Sequence, residues 1–475
     1  MFDVTKCILF FLISLIVPIE FNLLYAQKKQ DYIIVDSIKI VGTVRTKDWV
    51  IRQEARIYEG DTLSFERLNK RIDEIKIDLK RTNLFSHVEL TYQLEYTKEY
   101  HIVLTILVDE NWLLFPAVIF EIADRNFNVW WKEQNHSFSR INVGAKLFHY
   151  NITGRKDRLR LLAHTGYTNK IEASYEYPFI SKRYNIGLKI SALYSQNKEL
   201  VYKSIENKSL FYKDENNVIF QRQRYSISLR HRPNRRWISG LNIESNHNSI
   251  DTAVARQNPN YFLNGNSKQH FTSINYVIEY STKDLNSRPK KGTSYSVQIE
   301  KIGIPGIEKY NLLHSIQKYS WTKPIARKVF YNINIQSKQA WIRHKEYPFN
   351  LYIGLGYNND LVFGYEYYVI DGLDYFTIDN ALRIPIFTYK KSFFKVLKGE
   401  PKIKIKMDFD YLVSIAYGYV NDPYYKEENQ LSNTNLGSIS TGLGLVVNEA
   451  INIRIQGSIN HKMEAGLFIH SKSSF

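Results

Sequence analysis

From about Trp112 to Phe475 apolar and polar residues alternate in short runs. In one such run Ile403, Ile405, Met407, Phe409 and Tyr411 share a face, with Lys404, Lys406, Asp408 and Asp410 on the other. Further on, Ile451, Ile453, Ile455 and Ile459 interleave with Asn452, Arg454, Gln456, Ser458 and Asn460. A period of two predicts strands, because successive side chains point to opposite faces of a sheet. Each strand needs cover for its apolar face. A closed antiparallel barrel in a bilayer supplies it and leaves no backbone group unpaired in lipid. A soluble sandwich would alternate too, but 35 Tyr and 26 Phe suit the aromatic girdles of a membrane barrel. Long polar stretches, Asn197–Asn217 and Ser245–Gln269, are expected as loops on one side, with short turns on the other. At roughly 20–25 residues per strand and connection, residues 113–475 predict about 16 strands, five of them from Ile378 onward.

Between Asp31 and Glu110 the pattern changes to strand, helix, helix, strand, strand. Ile34, Ile38 and Ile40 lead to Gly42, which suits a sharp turn. Thr46 is placed to cap a first helix and Ser64 a second. In that second helix Leu68, Ile72, Ile75 and Leu79 fall on one face. His87–Leu94 and Ile102–Val108 read as strands. About 80 residues suffice for one small core.

Residues 1–26 have the form of a secretory signal peptide. Lys6 precedes an apolar run from Cys7 to Ile19, and Ala26 offers a cleavage point before Gln27. A run of roughly 13 residues is too short to cross a bilayer, which takes about 20. The single cysteine, Cys7, falls inside this segment, so disulfides and thiol chemistry are not expected in the mature chain.

The formal net charge of +17 raises the question of nucleic acid. Lys and Arg are scattered through the predicted strands and loops with no basic arm or zinc spacing, so no nucleic-acid partner is expected. The charge suits acidic partners such as lipid head groups. No Gly-x-Ser-x-Gly elbow, His-Glu-x-x-His helix, P-loop or dinucleotide fingerprint is present. Neither an enzyme nor a bound cofactor or metal is expected.

The opening Ile38-Lys39-Ile40-Val41-Gly42, the Gly60-Asp61 break and Asn83-Leu84-Phe85-Ser86-His87-Val88 resemble a POTRA domain, the module that precedes the barrel in the BamA/TamA outer-membrane assembly superfamily (bacterial surface antigens). Asn126-Phe127-Asn128-Val129-Trp130-Trp131, with Asn151-Ile152-Thr153-Gly154 beyond, looks like the first strand pair of such barrels. Ser281-Thr282-Lys283-Asp284-Leu285-Asn286, then Arg288-Pro289-Lys290-Lys291-Gly292, resembles the family's mid-barrel turn, with Asp284, Pro289 and Gly292 as its marker residues. Gly364-Tyr365-Glu366 and, later, Asn380 with Leu382-Arg383-Ile384-Pro385-Ile386 sit where the family has its inward-folded loop and the next strand. The chain departs from the family at Phe363, where an arginine is usual, and at Ala381, where a glutamate is frequent.

The resemblance implies a signal peptide (1–26), an α/β POTRA domain (31–110) and a transmembrane antiparallel β-barrel (113–475) of 16 strands, with the POTRA domain in the periplasm. It implies a monomeric barrel that assists insertion or translocation of other proteins at the outer membrane, with client outer-membrane or secreted proteins reaching it through the POTRA domain. In the family the loop arginine binds acidic wall residues, for which Asp408 and Asp410 stand ready here. With Phe363 in its place, the loop is expected either to be held by packing of Phe363, Tyr365, Tyr367 and Tyr368 or not to be held at all, as a tyrosine-rich surface loop. Gly466, Phe468 and Phe475 form the expected terminal assembly signal. A two-partner secretion pore for a dedicated passenger, and a passive pore or surface receptor, are the alternative readings.

Overall fold

The computed structural model describes residues 32–473, apart from residue 83, residues 95–99, 182–183, 235, 286–287, 345, 358–359, 393–403, 426 and 449–450. The leading segment, Asn83, Asn286, Ile403 and the terminal Phe475 therefore lie outside the described residues. Two compact units are present.

The first unit is a small α/β domain. Strand β1 (Tyr32–Val41) is followed by helix α1 (Asp48–Ala55), strand β2 (Thr62–Ser64), helix α2 (Leu68–Arg81), β3 (Phe85–Leu94) and β4 (His101–Glu110). The sheet runs β2-β1-β4-β3, with β1 parallel to β4 and the other pairs antiparallel. Leu68, Ile72, Ile75 and Leu79 of α2 are all buried, as their spacing of four, three and four requires. They share the core with Ile33, Val35, Ile38, Ile102, Leu104 and Ile106. The short β2, three residues paired with the start of β1, was not legible in the sequence. Ser64 stands at a helix N-cap position, but the helix is a single 3₁₀ turn leading into α2, and the hydroxyl makes no capping bond.

The second unit is one 16-stranded antiparallel sheet. Its strands are β5 (Leu114–Ile122), β6 (Ile141–Tyr150), β7 (Arg158–Gly166), β8 (Thr168–Ser181) and β9 (Ile186–Asn197). Then come β12 (Phe220–His231), β13 (Trp237–Ile250), β14 (Lys268–Ser281), β15 (Gly292–Ile302), β16 (Leu312–Ala326) and β17 (Val329–Ala340). The last five are β18 (Asp374–Ser392), β19 (Lys404–Asn421), β20 (Asn435–Val447), β21 (Ile451–Asn460) and β22 (Ala465–Ser473). Every strand of this sheet pairs with its sequence neighbours, except that β9 meets β12 across an inserted hairpin of β10 (Glu199–Ile205) and β11 (Lys208–Lys213).

The faces are inverted relative to a soluble core. Ser414, Ser438, Ser440, Gln456, Ser458 and Asn460 are buried toward the lumen, while Ile415, Ile439, Leu443, Ile455 and Leu467 are exposed. That is the distribution a bilayer rewards, with apolar side chains outward and polar ones inward. No helix among the described residues is long and apolar enough to cross a membrane, which says nothing about strands.

Several expectations need correcting. Residues 197–217 are not a featureless loop but mostly the β10–β11 hairpin. In 245–269, β13 continues to Ile250 and a helix follows at Thr252–Gln257. The segment 126–131 is not a strand pair. Phe127–Lys132 is a helix, α3, in the connection between β5 and β6, and the side chain of Asn126 caps it by accepting the Val129 N–H at 2.9 Å. An N-cap asparagine outweighs the weak β preference of Val129 and the tryptophans once tertiary contacts hold the turn.

Candidate functional site: inward loop, acidic pair and seam

The end of the barrel at which β5 begins is called the near end here, and the opposite end the far end. The turn between β14 and β15 lies at the near end. Asp284 organises it, its Oδ1 accepting the N–H groups of Leu285 (3.0 Å), Lys290 (2.9 Å) and Lys291 (3.3 Å). Gly292 closes it at φ +114°, where an added Cβ would stand 2.6 Å from the Thr282 carbonyl oxygen. Pro289 fixes its own φ and disfavours helical backbone at the residue before it. Its carbonyl accepts a bond from Arg383 Nη2.

This turn aims Arg288 into the barrel. The guanidinium grips Asp410 of β19 with both ends of the fork, Nε to Oδ2 at 2.8 Å and Nη2 to Oδ1 at 2.5 Å. Its Nη1 is also 3.4 Å from Asp408 Oδ1. Arg383 of β18 adds a looser contact to Asp410 at 3.8 Å and lies over the ring of Phe330 at 4.6 Å. Lys406 Nζ (2.9 Å) and the Thr388 hydroxyl (2.6 Å) complete the shell of Asp408. Both aspartates thus point inward from a strand whose outward-facing residue just after them, Tyr411, is exposed. The acidic pair has an arginine partner, but it comes from the near-end turn and not from the inward loop.

The loop between β17 and β18 folds against the last three strands. Gly364 has φ +89°, and a Cβ there would lie 3.2 Å from that of Ser438. Its carbonyl accepts from Asn460 Nδ2 at 3.1 Å, and its N–H donates to Glu366 Oε2 at 2.8 Å. The Tyr365 hydroxyl binds both main-chain groups of Gly437 at 3.1 Å and contacts His461 Nδ1. Glu366 is fully buried. Its Oε1 is 3.2 Å from His470 Nε2, close enough for an ion pair when the histidine is protonated but off the line of a hydrogen bond. Phe363 meets His470 edge-on at 5.3 Å, and Tyr367 meets Phe468 at the same distance. The Tyr368 hydroxyl donates to Glu464 at 2.9 Å.

Asp410 pairs with Gly444 of β20, whereas Gly364 seats at Ser438, six residues away on that strand. At about 3.3 Å per residue the separation along β20 is about 20 Å. Aromatic and amide contacts hold the loop at the far end, and the acidic pair serves the near end.

The far end is covered by its loops. Asn207, at the tip of the β10–β11 hairpin, donates to Val369 O at 3.2 Å and to Asn429 Oδ1 at 2.8 Å, and accepts from Leu431 N at 2.9 Å. Ser204 of the same hairpin donates to Asp371. Below, a cavity of about 780 Å³ is lined by Phe363, Asp379, Arg454 and His470, among others.

Finally, β5 and β22 are the two ends of the sheet, and among the described residues no ladder joins them. Gly466 and Phe468 lie on β22, where the Phe468 ring is buried. Sequence reasoning placed Arg288 and Asn128 in motifs but missed their partners, and it missed His461 and His470 altogether. Each acts across a long sequence separation, and no local pattern announces that.

Comparison with known proteins agrees with this architecture. Residues 33–111 match the POTRA family, described as surface antigen variable number repeat. BamA from Haemophilus ducreyi, in a form lacking POTRA domains 1–3, is similar in structure with a TM-score of 0.56 at 16% identity, over 92% of this chain and 83% of that one. The chain has the POTRA-and-barrel fold seen in BamA. CdiB from Escherichia coli matches with a TM-score of 0.53 at 10% identity, over 96% of this chain and 92% of its own. CdiB from Acinetobacter baumannii gives 0.53 and 10%, covering 93% and 74%. No curated protein matches in sequence.

Proposed function

We propose that this chain is an outer-membrane barrel that assists the insertion or translocation of other proteins, with its POTRA domain in the periplasm receiving clients or partners. The carrying observation is that a POTRA domain and a 16-stranded sheet, whose ends no ladder joins among the described residues, occur in one chain. Residues 1–26 act as the export signal, the near end faces the periplasm and the far end faces outward. An exposed strand edge on the POTRA sheet can accept an extended segment through main-chain bonds without demanding one sequence. The barrel acts as a monomer within outer-membrane lipid, carries out no covalent chemistry and draws on the client's own folding energy.

Depletion of the protein followed by quantitative outer-membrane proteomics tests this reading. Loss of a set of other barrel proteins supports assembly. Loss of one secreted passenger alone would replace it with the dedicated secretion pore, and an unchanged proteome would favour a passive pore or receptor.

A further inference from the structure

The free edge of β22 is not bare. The side-chain amide of Asn128, in α3, donates from Nδ2 to the Ile469 carbonyl at 3.3 Å, and its Oδ1 accepts the Ile469 N–H at 2.9 Å. One donor and one acceptor on a planar amide are what a peptide unit of an adjacent strand would offer. In an antiparallel sheet both main-chain groups of a residue point to the same side, and the side alternates along the strand. Ile469 therefore presents its groups to the outer edge, and Asn128 fills that position. Asn128 is itself buried, at 4% exposure.

Its placement is tied to the inward loop. Asn126, which caps α3, donates from Nδ2 to Glu366 O at 2.9 Å, and Arg125 Nη2 donates to Tyr367 O at 2.6 Å. Those loop residues in turn contact His470 and Phe468, the neighbours of Ile469. The helix, the loop and the last strand thus meet at one point of the seam. On the other side, β5 is exposed along most of its length, including Val118 and Phe120, and carries Pro116, a residue suited to an edge strand.

We propose that Asn128 is a latch on the seam: its amide occupies the main-chain bonding position that a neighbouring strand would use on β22, and it must leave before any strand, β5 or an extended segment of another polypeptide, can pair there. The latch stands on the geometry of β22 whether or not the chain handles clients.

Hydrogen exchange of the purified full chain in detergent, read by mass spectrometry, tests it. In Asn128→Ala the Ile469 amide is expected to exchange about 10-fold faster, the effect of losing two hydrogen bonds of ordinary net strength. Peptides from 451–460 serve as the control and keep their rate. Asn128→Asp retains the acceptor for the Ile469 N–H but loses the donor, so a smaller acceleration follows. Unchanged exchange in both variants, or equal acceleration in 451–460, overturns the latch. If the alanine variant does not fold, the aspartate variant is judged by the same criterion. A photoreactive peptide with the sequence of residues 114–122 should then cross-link to 465–473 at about 10-fold lower concentration in the variant than in the parent protein. Equal capture refutes the claim that Asn128 must be displaced.

Discussion

Replacing Arg288 by alanine removes the cation that joins the near-end turn to the acidic pair. Asp410, only 2% exposed, would keep just the 3.8 Å contact to Arg383, while Asp408 would retain Lys406 and Thr388. Breaking a buried, hydrogen-bonded ion pair by deleting one partner costs about 3–5 kcal/mol, much of it the cost of leaving a desolvated carboxylate unpaired. Arg383 stays within 3.8 Å of Asp410, so the lower figure is expected, about 3 kcal/mol. At 1.4 kcal/mol per factor of ten this shifts the balance between docked and released turn by about 100-fold. The readout is proteolysis within residues 284–291 of the folded barrel, which should accelerate sharply. A double-mutant cycle isolates the pair. Asp410→Asn alone removes the bidentate partner of Arg288 while its 3.4 Å contact to Asp408 stays, and the double variant Arg288→Ala/Asp410→Asn should be less damaged than the sum of the singles by at least about 1.5 kcal/mol. Additivity within about 0.5 kcal/mol would mean that the 2.5–2.8 Å contacts carry no coupling energy, and the near-end lock would be refuted.

Three further outcomes are expected. Phe363 is half-buried against His470, so Phe363→Ala should cost less than the about 3–5 kcal/mol of a fully buried ring, roughly 2 kcal/mol, and single-channel conductance in planar bilayers should rise or become noisy. Conductance that stays unchanged while the loop is open to protease from outside would place the loop outside the lumen. Burial raises the Asp371 carboxyl from its ordinary 3.8 to about 6, partly offset by bonds from Ser204 and Tyr357. Because the folded value lies above the unfolded one, its contribution to holding the far-end loops is full below about pH 4 and is lost as pH climbs to about 6. Exchange at 199–213 should therefore quicken over that window, and Asp371→Asn should flatten the response. Deleting Phe475 should reduce the yield of folded, heat-modifiable barrel, and unchanged yield removes the terminal residue from the assembly signal.

The sequence by itself determined the classes of structure. A period of two along Ile451–Asn460 and Lys404–Tyr411 forces strands whose two faces differ, and such strands fix a barrel once a lipid-facing side is needed. The four-three-four spacing of Leu68, Ile72, Ile75 and Leu79 fixes the buried face of α2 in the same way. These are local signals, repeated many times, so single exceptions do not erase them.

Only the tertiary structure decided which partners meet. The mid-barrel turn was legible as turn chemistry from Asp284, Pro289 and Gly292, but nothing nearby in the chain says that Arg288 reaches Asp410, 122 residues later. The missing arginine at 363 was legible too, yet the loop's replacement contacts with His461 and His470 depend on how far the loop descends. Asn128 meets Ile469 across 341 residues, because closing the sheet brings the connection after the first strand to the edge of the last. The reason is the same in each case. Periodicity records which face of an element is buried, whereas a hydrogen bond between distant elements depends on register and curvature summed over the whole sheet.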